Sequence, residues 1–427
     1  MLARFSASDP SALSDRDIWA TIEWWIDLAP DLVPPVLVMS NVQGREDAIR
    51  KACRQTGFDY ARLVYPQLAA GKRSVSSQQA CDLVVLADIA RGDSKARTYL
   101  LGNDGTFADF RTALAETRFL EGLDGFLAEY GHRGRYESDW AIPRMHENPA
   151  LVLFAVREQL SSEAEDPREV AARQSADAAA AWNAFEARLT QWQKWTLLPK
   201  VRATIRELKQ QYLWREQVRS DLTRALSALR PWHLALAQRF VERGWIDRRD
   251  DYFLLHLEEV APACADPAAG AGLREIAARR ASELEAERNV RMPLFMHESE
   301  LPVLRRATSE VAVSAARELT GLCVSLGIVE AEVVVMHDPS EFTRMTRGAI
   351  LVARATDPSW TPLFTLASGV IVEVGGTLSH ASTIAREYGL PALANVKDAT
   401  KVLRTGDRVE LDASHGVVRR RTSMSPE

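Results

Sequence analysis

Residues 375–396 read GGTLSHASTIAREYGLPALANV, with one histidine, His380, shortly after a glycine pair and at the start of a helical pattern. A neutral imidazole is nucleophilic near pH 7 because its unperturbed pKa is about 6.5. It can carry a covalent intermediate, and attack on a phosphoryl group would give a phosphohistidine. The surroundings suit that charge. Gly375 and Gly376 allow backbone angles and close approach that other residues forbid. Thr377 or Ser379 can cap the helix, whose free N–H groups and positive dipole end favour an anion. Gly389 ends the helix and Pro391 prevents its continuation. The other reading of the same pattern is a histidine that only caps a turn.

A second pair with chemical potential is His132 and Arg133, framed by Gly131 and Gly134. Such a pair could offer a general base and a cation to a phosphoryl group or an acceptor hydroxyl. The alternative is a helix-ending loop in which Arg133 pairs with Glu137 or Asp139. The other histidines, among them His233, His256 and His337, lack metal-ligand spacing, so structural roles and no metal are expected. Cys53, Cys81, Cys264 and Cys323 form no CxxC pair, and their scatter predicts reduced thiols in a cytoplasmic protein. PQLAAGKRS is not a phosphate loop, because Pro66 stands where its first glycine belongs and Arg73 replaces Ser or Thr.

The elements that must position these residues change character near residue 315. Upstream the chain reads as helices. Ile18, Ile22, Trp25 and Leu28 recur at helical spacing, and Leu114, Phe119, Leu123, Phe126 and Leu127 form a stripe that Gly131 would cap. Residues 168–245 are strongly helical, divided by Pro199 and Pro231. Trp182, Trp192, Trp195, Trp214 and Trp232 lie there, and packing between long helices is the expected use of such aromatics over a wall for an apolar ligand. Downstream, EAEVVVMHD, GAILVARAT, ASGVIVEVGG, PALANV and DRVELDASHGVVRR read as short strands, with the helix HASTIAREYG among them. The fold expected is multidomain: a mostly α-helical body over residues 1–315, a small C-terminal α/β domain over 316–420, and a disordered tail over 421–427.

Composition narrows the functional classes. A length of 427 residues allows two or three domains. A net charge of −5 provides no broad basic field, so nucleic acid is not an expected partner, and the Arg419–Arg421 run reads as a solvated tail. No apolar run approaches the ~20 residues of a membrane helix, and MLARFSASDP lacks the apolar core of a signal peptide.

With these residues in view, GGTLSHASTIAREYGLPALANV resembles the signature of the phosphohistidine swivelling domain of phosphoenolpyruvate-utilising (PEP-utilising) enzymes. That group includes phosphoenolpyruvate synthase, pyruvate phosphate dikinase and rifampicin phosphotransferase. The phosphorylated histidine of the signature falls on His380, its glycines on Gly375 and Gly376, and its Ala-Arg-Glu on Ala385, Arg386 and Glu387. SLGIVEAEVVV and ILVARATDPSWTPLF are similar to the same domain, with Leu326 standing where proline is usual. FLAEYGHRGRYESDWAIPRMHENP and VERGWIDRRDDYFLLHLEEV resemble segments of the acceptor-binding domain of rifampicin phosphotransferase-like proteins.

The resemblance implies a phosphotransferase, dikinase-like, with a phosphohistidine intermediate. In it His380 takes a phosphoryl group and passes it to a small-molecule acceptor held by the helical domain. It implies catalytic roles for His380, His132 and Arg133, and phosphate binding by Gly375, Gly376, Thr377, Ser379 and Arg386. Neither an ATP-grasp domain nor a phosphoenolpyruvate-binding barrel is recognisable, so ATP and magnesium are expected on a separate ATP-grasp partner and no cofactor on this chain. Two other readings stand: a phosphocarrier linked to phosphoenolpyruvate, and a non-catalytic ligand-binding or scaffold relic.

Overall fold

The computed structural model describes residues 9–32, 42–160, 167–287, 297 and 318–421. The chain forms two compact units, neither continuous in sequence. The smaller takes residues 1–33, 137–142 and 224–313, and the larger takes 34–136, 143–223 and 314–427. The tail expected at 421–427 lies outside the described residues except for Arg421.

The principal helices in chain order are α1 (Asp15–Leu32), α2 (Val42–Thr56), α3 (Tyr60–Ala69), α4 (Val75–Gly92), α5 (Ser94–Gly102), α6 (Arg118–Tyr130) and α7 (Ala150–Leu160). They continue with α8 (Pro167–Ala187), α9 (Gln191–Thr196), α10 (Leu198–Ser227), α11 (Arg230–Glu242), α12 (Leu257–Ala265), α13 (Leu273–Glu287) and α14 (His380–Tyr388). The strands are β1 (Glu318–Thr320), β2 (Leu322–Ser325), β3 (Ile328–Met336), β4 (Ile350–Ala353), β5 (Gly369–Val372), β6 (Ala392–Ala394), β7 (Arg408–Asp412) and β8 (Val417–Arg420). A helical body followed by a small mixed sheet is the fold class the sequence predicts. No helix among the described residues is long and apolar enough to cross a membrane.

The sheet runs β1-β8-β7-β3-β4-β5-β6-β2. Its long strand β3 serves two neighbours: Ile328 to Glu332 pair antiparallel with β7, and Val333 to Met336 pair parallel with β4. The strands β4, β5 and β6 are buried throughout, which is why they read as unbroken apolar runs. One face packs Val333, Val335, Ile350, Val352 and Ile371 into a core of its own. The other joins Val334, Leu351, Val370 and Val372 to Leu83, Leu123 and Phe154 of α4, α6 and α7.

Two readings need correction. The stripe from Leu114 to Leu127 is not one helix: a short turn at Phe110–Ala113 is separated from α6, because Glu116 adopts φ 63° and the Thr117 side chain caps α6 by accepting from the Leu120 N–H. Leu114 is still buried with the others. Gly131 is the C-cap of α6, as expected, and holds it in right-handed geometry (φ −64°). It is needed for space, since a Cβ there would lie 2.2 Å from the Leu127 carbonyl oxygen and 2.8 Å from His146 Cβ. Of the five tryptophans, Trp232 is buried and Trp182 partly so, whereas Trp192 (74% exposed), Trp195 (84%) and Trp214 face solvent. Helical spacing identified a face, but on α9 no described residue covers it.

The smaller unit packs α1, α11, α12 and α13 around Ile18, Ile22, Trp232, Leu236 and Phe240. His233 sits in this unit, stacked on Trp140 with its Nδ1 3.1 Å from the Tyr252 hydroxyl. Burial and then the neighbouring Arg230 charge push its imidazole down to about 4. Below the ordinary value of about 6.5 the unfolded chain takes up a proton that the folded unit refuses until about 4. Stability therefore falls with acidification through that window, by on the order of 3 kcal/mol. Denaturant titrations at neutral pH and near pH 4 should reveal this loss, and His233→Gln should flatten it. An equal slope in the variant would refute the assignment.

Candidate active site

The local sequence builds the His380 turn as physics requires. Ser379 is the N-cap of α14, accepting from the Ser382 N–H, and Gly389 closes the helix at φ 71° with the Leu390 N–H bonded back to the Ala385 carbonyl. Gly375 is packed against Ser379, whose Oγ would lie 2.9 Å from a Cβ at 375, while Gly376 has open space around its Cα. The Gly376 carbonyl accepts from the Ser379 N–H and from Ser382 Oγ, so the turn is tied to the first turn of the helix. Residues 380–387 are all buried, because α14 lies between β2, β5 and β6 on one side and α3 and α4 on the other.

His380 is 3% exposed. Its Nε2 is 3.4 Å from Thr361 Oγ1, its ring meets Phe364 edge-on, and its Nδ1 has no hydrogen-bond partner. Burial, and then the positive charges of Arg219, Arg133 and Arg215, hold this imidazole well below its usual range. The ring is thus neutral, with its nitrogen lone pair available, and three guanidinium groups bear on it. That arrangement repels a proton and attracts a dianion.

The pair His132 and Arg133 joins this centre. Arg133 is 1% exposed and donates to Ser76 Oγ (2.9 Å), which donates to Glu216 Oε2 (3.2 Å). His132 Nε2 lies 3.2 Å from Ser220 Oγ, next in sequence to Arg219. The loop is set by backbone bonds from Met145 to the Arg133 carbonyl and from His146 to the Gly131 carbonyl. Residues 215–220 of α10 therefore bring Arg215, Glu216, Arg219 and Ser220 to one side of that helix.

The other expected residues hold the turn. Arg386 donates to the Val324 carbonyl (3.1 Å) and the Thr377 carbonyl (2.6 Å), and stacks between the rings of Tyr65 and Tyr212. Thr377 contributes its carbonyl, and Ser379 the cap. Arg215, Arg219, Ser220 and Thr361 were not foreseen. The only signal for the arginines was their spacing of four on a long helix, which puts both on one face. Among the described residues no group of His, Cys, Asp and Glu side chains is arranged to hold a metal ion.

A family model described as "PEP-utilising enzyme, mobile domain" matches residues 345–416, and one described as "Rifampicin phosphotransferase fourth domain" matches residues 38–216. The chain carries both of these domains. His380 lies in the mobile domain, and His132, Arg133 and Arg215 lie in the fourth domain, so the site is where the two come together. A rifampicin phosphotransferase of a Streptomyces species is 28% identical over 363 residues, 81% of this chain and 40% of that protein. Prodigiosin synthesizing transferase PigC of Serratia marcescens is 30% identical over 318 residues, 69% of this chain and 33% of that protein. The uncharacterized phosphotransferase YvkC of Bacillus subtilis is 32% identical over 191 residues, 43% of this chain and 23% of that protein. The chain thus spans at most about 40% of the length of these relatives.

Proposed function

We propose that this chain is the carrier and acceptor part of a phosphotransferase. A ring nitrogen of neutral His380 attacks the phosphorus of a donor. The P–O bond to the donor's leaving group breaks with its electron pair, and an N–P bond forms. In the second half an acceptor hydroxyl attacks the same phosphorus and loses its proton to His132. The N–P bond breaks, and its electron pair returns to the imidazole. Arg133, Arg215 and Arg219 offset the charge on the phosphoryl oxygens as they pass through the transition state. The observation that carries this reading is a buried, neutral histidine at a capped helix start with three arginines bearing on it.

The donor is proposed to be ATP with magnesium, bound by an ATP-grasp domain outside these 427 residues. A nucleotide site needs a preorganised phosphate cradle, and the glycine-lysine stretch near Gly71 only connects α3 to α4. With His380 buried, the sheet domain has to leave the helices to meet that donor, which supports a swivelling motion of residues 318–421. The acceptor is a small molecule with a hydroxyl, held beside His132.

Single-turnover discharge tests the assignment. His132→Ala should leave formation of phospho-His380 unchanged and slow its discharge to acceptor by about 10²-fold or more, the usual contribution of a positioned base. An unchanged discharge rate would make His132 a structural residue and return the base to another group.

A further inference from the structure

Phe364, whose edge meets the His380 ring, also lines a cavity of about 180 Å³. Its walls come from two distant parts of the larger unit. Cys81 and Gln159 belong to the helices and Arg73 to the connection between α3 and α4, while Arg347, Phe364 and Tyr388 belong to the segment that carries the sheet. The volume is below the ~300–1,000 Å³ of pockets for drug-sized ligands, which suits a molecule of one small ring.

The chemistry of the wall selects among such molecules. Two cations, Arg73 and Arg347, reach it, and Arg347 makes no ion pair or hydrogen bond among the described residues. The one carboxyl in the wall, Glu387, is occupied: its Oε2 accepts from the Ser74 N–H and hydroxyl, and burial raises its pKa toward the neutral acid. It is therefore poorly placed to neutralise Arg347, and Arg73 is engaged with Cys81 Sγ across the same wall. Gln159 is 1% exposed and its Nε2 donates to Thr365 Oγ1, yet its Oε1 accepts nothing. A buried amide oxygen without a donor is costly. The remaining wall is apolar, with Val84, Phe364 and Leu390.

We propose that this cavity binds a small organic anion that also carries a hydroxyl donor: its acid group lies between Arg73 and Arg347, its hydroxyl donates to Gln159 Oε1, and its carbon body packs on Phe364. Both parts of the wall must be together to bind it, so occupancy favours the state in which His380 is buried among its arginines. That consequence rests on the function proposed above; the binding itself does not.

Calorimetric titration of the full chain with 4-hydroxybenzoate tests the site without any phosphoryl transfer. One molecule should bind per chain. The neutral analogue 4-hydroxybenzamide and the variant Arg347→Gln should each bind about 10-fold more weakly or worse, the scale of losing one charge-assisted contact. Benzoate, which lacks the hydroxyl, should also bind more weakly. Ala367→Phe, which fills the cavity from its wall, should abolish binding, and bound 4-hydroxybenzoate should protect Cys81 from alkylation. Arg347 is exposed, so its replacement leaves the core untouched. Absence of saturable binding up to about 10 mM would overturn the proposal, since even a weak specific site registers there. Equal binding by the wild type, Arg347→Gln and Ala367→Phe would overturn it as well.

Discussion

Replacing His380 with alanine should leave the chain folded and unable to take up a phosphoryl group. The first position of a helix accepts alanine readily, the Ser379 cap is retained, and the ring it removes touches chiefly Phe364 and Thr361. Loss of an enzyme's nucleophile costs on the order of 10⁶-fold in turnover, so the variant should be inactive by any ordinary assay. With the donor domain and labelled ATP supplied, the wild-type chain should acquire label that is lost in acid and kept in base, as a phosphoramidate behaves. His380→Ala should acquire none. A folded His380→Ala protein that still transferred phosphate would end the carrier assignment.

The second expectation concerns Arg219, which comes first after burial among the causes that depress the His380 pKa. Arg219→Gln removes a positive charge that opposes the imidazolium form. The His380 pKa should therefore rise toward its ordinary value, while burial, Arg133 and Arg215 keep it below that value. The same substitution removes charge stabilisation from the moving phosphoryl group and should slow transfer through His380 by about 10²- to 10³-fold. The two readouts belong together: histidine NMR follows the titration, and single-turnover labelling follows the rate. A slower rate with an unmoved titration would place Arg219 in the scaffold, where it acts through the position of α10.

The extent to which the sequence foretold this site varied with the range of the interactions involved. The His380 turn was legible almost residue by residue, because a glycine pair, a capping serine and a Gly-x-Pro ending are local signals that act within one or two turns of chain. Strands β4 to β6 were legible for a similar reason, since burial on both faces writes continuous apolar runs. Strands β1 and β2 are three and four residues long and too short to leave a pattern. The arginines of α10 were missed because a long polar helix bears many arginines. Only tertiary packing decides that Arg215 and Arg219, about 160 residues before His380, bear on it rather than on water. The exposed Trp192 and Trp195 reflect the same limit from the other side: spacing selects a helix face, and only the neighbouring chain decides whether that face is covered. Arg386 is a further case. Its place in the signature suggested phosphate, whereas its guanidinium braces the carbonyls of Val324 and Thr377.

The pairing of β1 with β8 sets Glu318 opposite Arg419 and Thr320 opposite Val417, with an ion pair between Glu318 and Arg419. The polypeptide therefore enters and leaves the sheet segment side by side, at a single edge. Topologically the segment is a closed loop with one stem. A body attached in this way can turn as a whole about its stem without stretching either strand of it, in the manner of a door hung on one side. The same closure makes it a portable cassette: its ends could be joined and new ends opened elsewhere, or the whole inserted into a surface turn of another protein, with its eight-stranded order preserved.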